Sequence, residues 1–171
     1  MIILAIGVGV LLMNSKKTNS GELQNLNTEK YGQYDSLFKA SGAKYGVPWL
    51  RLKRISWIES KVGTYKSVAL GIKNPNDVNA SVSQDGKSWG IMQVTLTTGA
   101  DYDRTITPQK LNNVAYSIDI AAQHLKMLGK LFTNERDIVM SYNHGQGNQK
   151  NFIIKEKNGT LLKTEYLAGR D

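Results

Sequence analysis

The sequence predicts a mostly helical α+β domain preceded by a short N-terminal hydrophobic helix. Three observations carry that expectation. Apolar residues recur at helical spacing in several separate stretches between Tyr34 and Lys155. The span 62–87 is crowded with Gly, Asn, Pro and Asp, which favours loops and short strands. Ile2 to Met13 is an unbroken apolar run. At 171 residues, 40% of them apolar, the chain can build one compact domain with a real core and little more.

The N-terminal run divides the chain. Twelve helical residues cover about 18 Å at 1.5 Å per residue, short of the roughly 30 Å of a bilayer's hydrocarbon core. A cleaved signal segment has this length, but no basic residue precedes the run and no A-x-A site succeeds it. We therefore read residues 1–14 as a membrane anchor or signal segment, the anchor being preferred over a signal or a buried core segment. Residues 15–30 read as a polar linker, and residues 31–171 as the folded domain. Lys16 and Lys17 tend to hold the chain on their C-terminal side at the cytoplasmic face of a cell membrane; in a virion membrane, orientation follows assembly instead.

Within the domain, Tyr34 to Tyr45 predicts a helix with Leu37, Phe38 and Ala40 to Ala43 on its apolar side, ended by Gly46. Pro48 suits the first turn of a second helix running to about Lys61. Its Leu52, Ile55 and Glu59 are spaced to share one face. A carboxyl group on an inward stripe is unusual, because burying its charge is costly. Short strands are expected near Val78 to Val82 and Ile91 to Val94. Asn112 or Asn113 can cap a long helix to about Phe132, with Ala115, Ile118, Ala122, Leu125 and Leu128 on its buried face. Glu135 to Tyr142 predicts another helix, closed by a turn at Gly145-Gln146-Gly147. A short helix or strand is expected at Asn151 to Lys155, and Tyr166 to Arg170 ends the chain.

Composition narrows the function classes. There are no cysteines, so neither a disulfide framework nor a thiolate metal site is available. His124 and His144 stand twenty residues apart without HxxxH or HExxH spacing, which points to no metal and no cofactor. The net charge of +8, from 22 Lys and Arg against 14 Asp and Glu, favours anionic partners or simply a solvated basic face. No basic run is long enough to read as a nucleic-acid tail.

Three strings remain: Tyr45-Gly46-Val47-Pro48 followed eleven residues later by Glu59-Ser60; Ser88-Trp89-Gly90-Ile91-Met92-Gln93; and Ser141-Tyr142-Asn143-His144-Gly145-Gln146-Gly147. In this order, from about Tyr34 to Arg170, they resemble the soluble-lytic-transglycosylase family, which has a lysozyme-like fold. The family pattern is YG(V/I)P, ES, (S/A)xGLMQ and AYNxGxG, with a closing Tyr-Val segment.

The resemblance implies cleavage of peptidoglycan glycan strands, with Glu59 as the single catalytic carboxyl group. Protonating a glycosidic oxygen near neutral pH needs a carboxylic acid whose pKa is raised, and partial burial on an apolar helix face does that. In the family the 6-hydroxyl of N-acetylmuramic acid attacks C1, so no second carboxylate is needed to activate water. By the same resemblance Ser60 orients the carboxyl group. Gly90, Met92 and Gln93 line the groove, Gln93 bonding the sugar. Tyr142 hydrogen-bonds near Glu59 and the substrate, and Asn143 binds an acetamido or hydroxyl group. Tyr166 is the loosest match, and Trp89, larger than the family's usual residue, can stack on a sugar ring.

The chain also departs from the pattern. Glu59 and Gln93 are separated by 33 residues, where many family members have about half that. The surplus falls between Ser60 and Asn74-Pro75. His144 replaces a small residue and is expected to face water, and Gln146 replaces a proline. Three readings stay open. The first is a membrane-anchored transglycosylase of a virion membrane or the periplasmic side of a bacterial envelope, with virion or envelope-complex proteins as partners. The second is a hydrolytic muramidase of the goose-type lysozyme kind, using Asp77, Asp85, Asp101 or Asp103. The third is a structural virion membrane protein. A salt-bridged surface role for Glu59, with Arg51 or Lys61, is its non-catalytic alternative.

Overall fold

The computed structural model describes residues 29–158 apart from 78, 81, 84 and 85. The expected anchor, residues 15–28 of the linker, Val78, Asp85 and Tyr166 lie outside the described residues. In chain order the elements are α1 Glu29–Gly32, α2 Asp35–Tyr45, α3 Trp49–Ser60, α4 Lys66–Lys73, β1 Ser88–Trp89, β2 Val94–Thr95, α5 Leu96–Ala100, α6 Pro108–Asn112, α7 Val114–Leu131, α8 Glu135–His144 and α9 Gln146–Lys157. This is the expected α+β architecture, mostly α. The described residues divide between a unit within Ser20–Met127 and one that begins at Leu128.

In the first unit, α2 and α3 form a hairpin at Gly46-Val47-Pro48. Gly46 takes a left-handed conformation (φ 70°) that ends α2, and Val47 is buried with its N–H donating to Gly42 O at 2.9 Å. The buried face of α2 is Phe38, Ser41 and Gly42, whereas Ala40 and Ala43 are exposed and Leu37 is half-buried. The buried side is thus displaced from the expected one, because Ser41 is turned inward by a polar partner. That partner is Asp119 of α7, which accepts hydrogen bonds from Ser41 Oγ, from Lys44 Nζ at 2.5 Å and from Tyr45 Oη at 3.3 Å.

Burial pushes the Asp119 carboxyl up, but the bonds from Lys44 and Ser41, the Lys44 charge and Tyr45 outweigh it and hold the pKa below its ordinary value. A folded value below the unfolded one, near 3.9, adds stability that is fully present above about pH 5. That stability is lost as pH falls through the folded value. Asp119→Asn should therefore be less stable at pH 7 and lose less on acidification, as monitored by circular dichroism from pH 7 to pH 2.

The helix α3 buries Leu52, Ile55, Ser56 and Ser60, together with Lys53, which is fully buried. Lys53 Nζ lies 2.7 Å from Asp35 Oδ1, at the start of α2, so the ion pair fixes the two helices to each other. Removing one partner of a buried pair strands the other's charge. Asp35→Ala should cost about 3 kcal/mol in chemical denaturation, while Lys53→Met, which keeps the stem and removes the charge, should cost less than about 1 kcal/mol. Equal losses in the two variants would show that the lost ion pair itself, and not the stranded Lys53 charge, sets the cost.

Three helices are present that the sequence pattern does not indicate, one of them in a stretch expected to be loops. The span 62–87 contains α4, whose Val68 and Gly71 are buried. Its eight residues and internal Gly71 hide the helical period. The five-residue helices α5 and α6 are too short to show a period at all and are fixed by their first turns. Thr95 Oγ1 accepts from Thr98 N at 3.0 Å, and Thr107 Oγ1 accepts from Lys110 N at 3.2 Å, with Pro108 in the opening turn. Among the described residues 79, 80, 82 and 83 there is no strand.

The long helix α7 starts where the sequence indicates: Asn113 Oδ1 accepts from Tyr116 N at 3.0 Å. Ile118, Ala122, Leu125 and Leu128 are buried, as are Val114, Ile120 and Ala121. Ala115, expected on that face, is exposed, because it lies one residue off the series 114, 118, 121, 125, 128.

In the second unit, Asn134 Oδ1 caps α8 through Arg136 N at 2.9 Å, and Ile138, Val139 and Met140 are buried. The expected turn at Gly145-Gln146-Gly147 is only a break at Gly145 (φ 88°), and α9 begins at once with Gln146. The last element is accordingly a full helix rather than a short segment at Asn151 to Lys155.

Among the described residues no helix is long and apolar enough to cross a membrane. Residues 2–13 lie outside that statement.

Candidate active site

Glu59 stands in the last turn of α3, half-buried, four residues after the buried Ile55 and seven after Leu52. The helix then ends on three consecutive left-handed residues: Lys61 (φ 50°), Val62 (φ 56°) and Gly63 (φ 78°). Val62 is β-branched and fully buried, and its N–H donates to Ser56 O at 3.1 Å. Such a conformation in a β-branched residue costs of order 1–3 kcal/mol and persists only where the surroundings impose it. The Lys61 ammonium lies 4.5 Å from the centroid of the Trp57 ring.

The string Gly90-Ile91-Met92-Gln93 is the four-residue loop of a β-hairpin. Ser88 pairs with Thr95 and Trp89 with Val94 in antiparallel register. The expected strand at Ile91 to Val94 is corrected accordingly: Ile91 and Met92 are apolar because the loop turns them into the core, where both are fully buried. The loop is clasped to α3. Ser60 Oγ donates to Ile91 O at 2.7 Å and accepts from Gly63 N at 2.9 Å, and Ser56 Oγ lies 3.3 Å from the same carbonyl. Ser60 is therefore inside the unit, joining the residue after Glu59 to the hairpin loop.

Gly90 has φ 76°, and a Cβ on it would lie 2.0 Å from Leu111 O. Its carbonyl accepts from Gln93 N at 3.1 Å and Gln93 Nε2 at 2.8 Å, so one of the two amide N–H groups of Gln93 is engaged within the loop. Gln93 itself is left-handed (φ 47°) and half-buried, and Trp89 is half-buried on β1. Glu59, Ser60, Trp89, Gly90, Met92 and Gln93 are thus brought together on one α-helix end and one hairpin.

Tyr142 and Asn143 occupy the last turn of α8 in the second unit, Tyr142 half-buried and Asn143 exposed. His144 does not simply face water. It is half-buried, and its Nε2 is 2.8 Å from Oε1 of the fully buried Gln149, whose Nε2 donates to Asp137 Oδ1 at 2.8 Å. With the Gln149 amide turned that way, His144 Nε2 carries the proton. Asn148 Nδ2 donates to His144 O at 2.7 Å and closes the helix end.

The aspartates considered as second carboxylates are largely committed elsewhere. Asp77 Oδ1 accepts from Asn79 N at 3.0 Å and Ala80 N at 3.3 Å, an Asx turn. Asp103 accepts from Thr105 Oγ1 at 2.7 Å, Thr105 N at 2.8 Å, Tyr116 Oη at 2.7 Å and Lys110 Nζ at 3.2 Å. The Thr105 and Tyr116 hydrogen bonds hold its pKa well below the carboxylate range, which makes it a weak base. Asp101 is exposed. His124 is hydrogen-bonded with Tyr102 Oη through Nδ1 at 2.9 Å, and burial lowers its pKa against the opposing Asp101 charge. Among the described residues no group of His, Asp and Glu could hold a metal ion.

Two residues that build this site escape the motif pattern. Ser56 lies one turn before Ser60, and that i, i+4 pair of serines inside an otherwise large-residue helix is its signal. Asn112, almost fully buried, donates from Nδ2 to Pro75 O at 3.2 Å and Asp77 O at 3.1 Å, tying the segment after α4 to α6. Its neighbour Asn113 supplies the helix cap, which conceals the separate role of Asn112.

No curated protein and no solved structure matches the chain. Residues 36–163 match the family described as the Transglycosylase SLT domain, and that span contains α3, the hairpin and α8. The chain belongs to this family of lysozyme-like lytic transglycosylases that act on peptidoglycan.

Proposed function

We propose that Glu59 carries out both proton transfers in cleavage of the MurNAc-β-1,4-GlcNAc bond. As the acid it gives its proton to the glycosidic oxygen while the bond from that oxygen to C1 breaks. As the resulting carboxylate it takes the proton of the muramyl 6-hydroxyl while O6 bonds to C1. The products are a strand ending in 1,6-anhydro-MurNAc and a new GlcNAc end, with Glu59 returned to its starting state and no water consumed.

The observation that carries this reading is the half-buried residue Glu59 at the end of an apolar helix stripe, on a helix end that Ser60 clasps to the hairpin loop. Asp103 has both oxygens engaged by Thr105, Tyr116 and Lys110, and Asp77 has Oδ1 held in an Asx turn, which favours the transglycosylase over a hydrolase needing a second carboxylate. Ser60 and Gly90 act as positioning residues, and Trp89 and Gln93 as the groove beside the acid; Met92, expected in that groove, is instead fully buried and holds the loop from the core side. Tyr142, Asn143 and Tyr166 keep the substrate-binding roles that the family pattern gives them. Mass spectrometry of digested sacculi decides between the chemistries: anhydro ends, lighter by one water than reducing ends, are expected. Release of reducing ends alone would refute the proposal.

The apolar run at residues 2–13 supports a membrane-held enzyme that opens the wall locally, during virion entry or the assembly of an envelope machine. Deleting residues 1–14 should move the protein from the membrane to the soluble fraction of a flotation gradient while leaving cleavage of isolated sacculi intact.

A further inference from the structure

The helix α4 fills the stretch by which this chain exceeds the family spacing between Glu59 and Gln93. Its inner side packs beneath the site: a Cβ on Gly63 would lie 2.9 Å from Ile72 Cδ1 and 3.3 Å from Ile91 Cδ1. Tyr65, immediately before α4, donates its N–H to Ser60 O at 3.2 Å. The outer side is the series Lys66, Ala69, Leu70 and Lys73, spaced i, i+3, i+4, i+7 and exposed throughout.

Tyr65 is 47% exposed and Leu70 52%. Single exposed apolar residues are ordinary. Here an exposed leucine stands between two lysines on one short face, and an exposed aromatic, tied by its N–H to the residue after Glu59, caps the end of the helix beside Lys66. Neither Lys66 nor Lys73 is paired with an acid among the described residues. Lys61 adds a third positive charge, and Asp77, with one oxygen held in its turn, is the acid in the same stretch. Along the helix the face runs from the aromatic ring of Tyr65 through Lys66 and the apolar Ala69 and Leu70 to Lys73.

We propose that this outer face of α4 binds the acidic peptide stems of peptidoglycan. Stem carboxylates pair with Lys66 and Lys73, and aliphatic stem side chains lie on Tyr65 and Leu70. The inference rests on the transglycosylase reading only for the identity of the polymer. It makes the inserted helix a second contact that favours strands carrying peptides over bare glycan.

The test separates binding from catalysis. In an inactive Glu59→Gln background, Tyr65→Ser, Lys66→Ser and Lys73→Ser are combined, all on exposed positions. Cosedimentation is then measured with intact sacculi, with glycan strands freed of peptides by an amidase, and with phosphatidylglycerol vesicles. The expected result is about tenfold weaker binding to intact sacculi and unchanged binding to bare glycan. Unchanged binding to both, or equal loss on both, would overturn the proposal. So would a loss confined to phosphatidylglycerol vesicles, which would assign the face to lipid. The anhydro-end assay on wild-type protein tests the reading of Glu59 separately, so the two claims can fail independently.

Discussion

Glu59→Gln should lower the release of anhydro-ended muropeptides by roughly 10³-fold, within the range of 10²–10⁴ that a positioned proton donor contributes. The amide keeps the size of the carboxyl group and much of its hydrogen bonding, but it cannot deliver or accept the proton. Glu59 is half-buried and follows the buried Leu52 and Ile55 at helical spacing, so a neutral replacement should leave the midpoint of thermal unfolding unchanged or slightly raised. Activity within tenfold of wild type would assign the proton transfers to another group. A large loss of stability would instead make Glu59 a structural residue, the role of the non-catalytic alternative.

Gly90→Ala should cost about 3–5 kcal/mol, combining overpacking with the left-handed backbone penalty. The added Cβ would meet Leu111 O at 2.0 Å and Leu111 C at 2.9 Å, and both are backbone atoms. That backbone cannot easily withdraw, because Leu111 N donates to Thr107 O at 3.1 Å and Asn112 is bonded to Pro75 and Asp77. Gly46 offers the comparison. Its φ of 70° is similar, but a Cβ there meets nothing within 4 Å, so Gly46→Ala should cost only about 1–2 kcal/mol. Urea denaturation of the two variants isolates the steric part. Equal costs would mean that the hairpin loop can lift away from α6. Because Gly90 O also holds Gln93, the folded fraction of Gly90→Ala should be less active than wild type.

The legible elements are those with long apolar periods and clear punctuation. Both α3 and α7 announce themselves through Leu52, Ile55, Ile118 and Leu125, and through Pro48 and Asn113 at their starts. In contrast, α5 and α6 are a single turn or little more, and their starts are fixed by the caps at Thr95 and Thr107. The apolar pair Ile91-Met92 is ambiguous for a different reason. Buried loop residues and buried strand residues carry the same side chains, and only the pairing of Trp89 with Val94 distinguishes them.

The YGVP string belongs to the family series, and the structure accounts for it by folding alone. Tyr45 bonds Asp119, Gly46 ends α2, Val47 is buried and Pro48 opens α3. It positions the helix that carries Glu59 without being part of the chemistry. Ser60 is likewise visible as a neighbour of the acid, yet its bond to Ile91 O joins atoms 31 residues apart in sequence.

Motif order and helical period are local properties of the chain, and they suffice for the family, the mostly helical α+β class and the identity of the acid candidate. Three facts come only from the folded molecule. GIMQ is a buried hairpin loop, Ser56 and Ser60 clasp it, and the surplus after Ser60 is a helix with a basic outer face. Those facts depend on hydrogen bonds and close contacts between distant segments, which one-dimensional spacing does not encode.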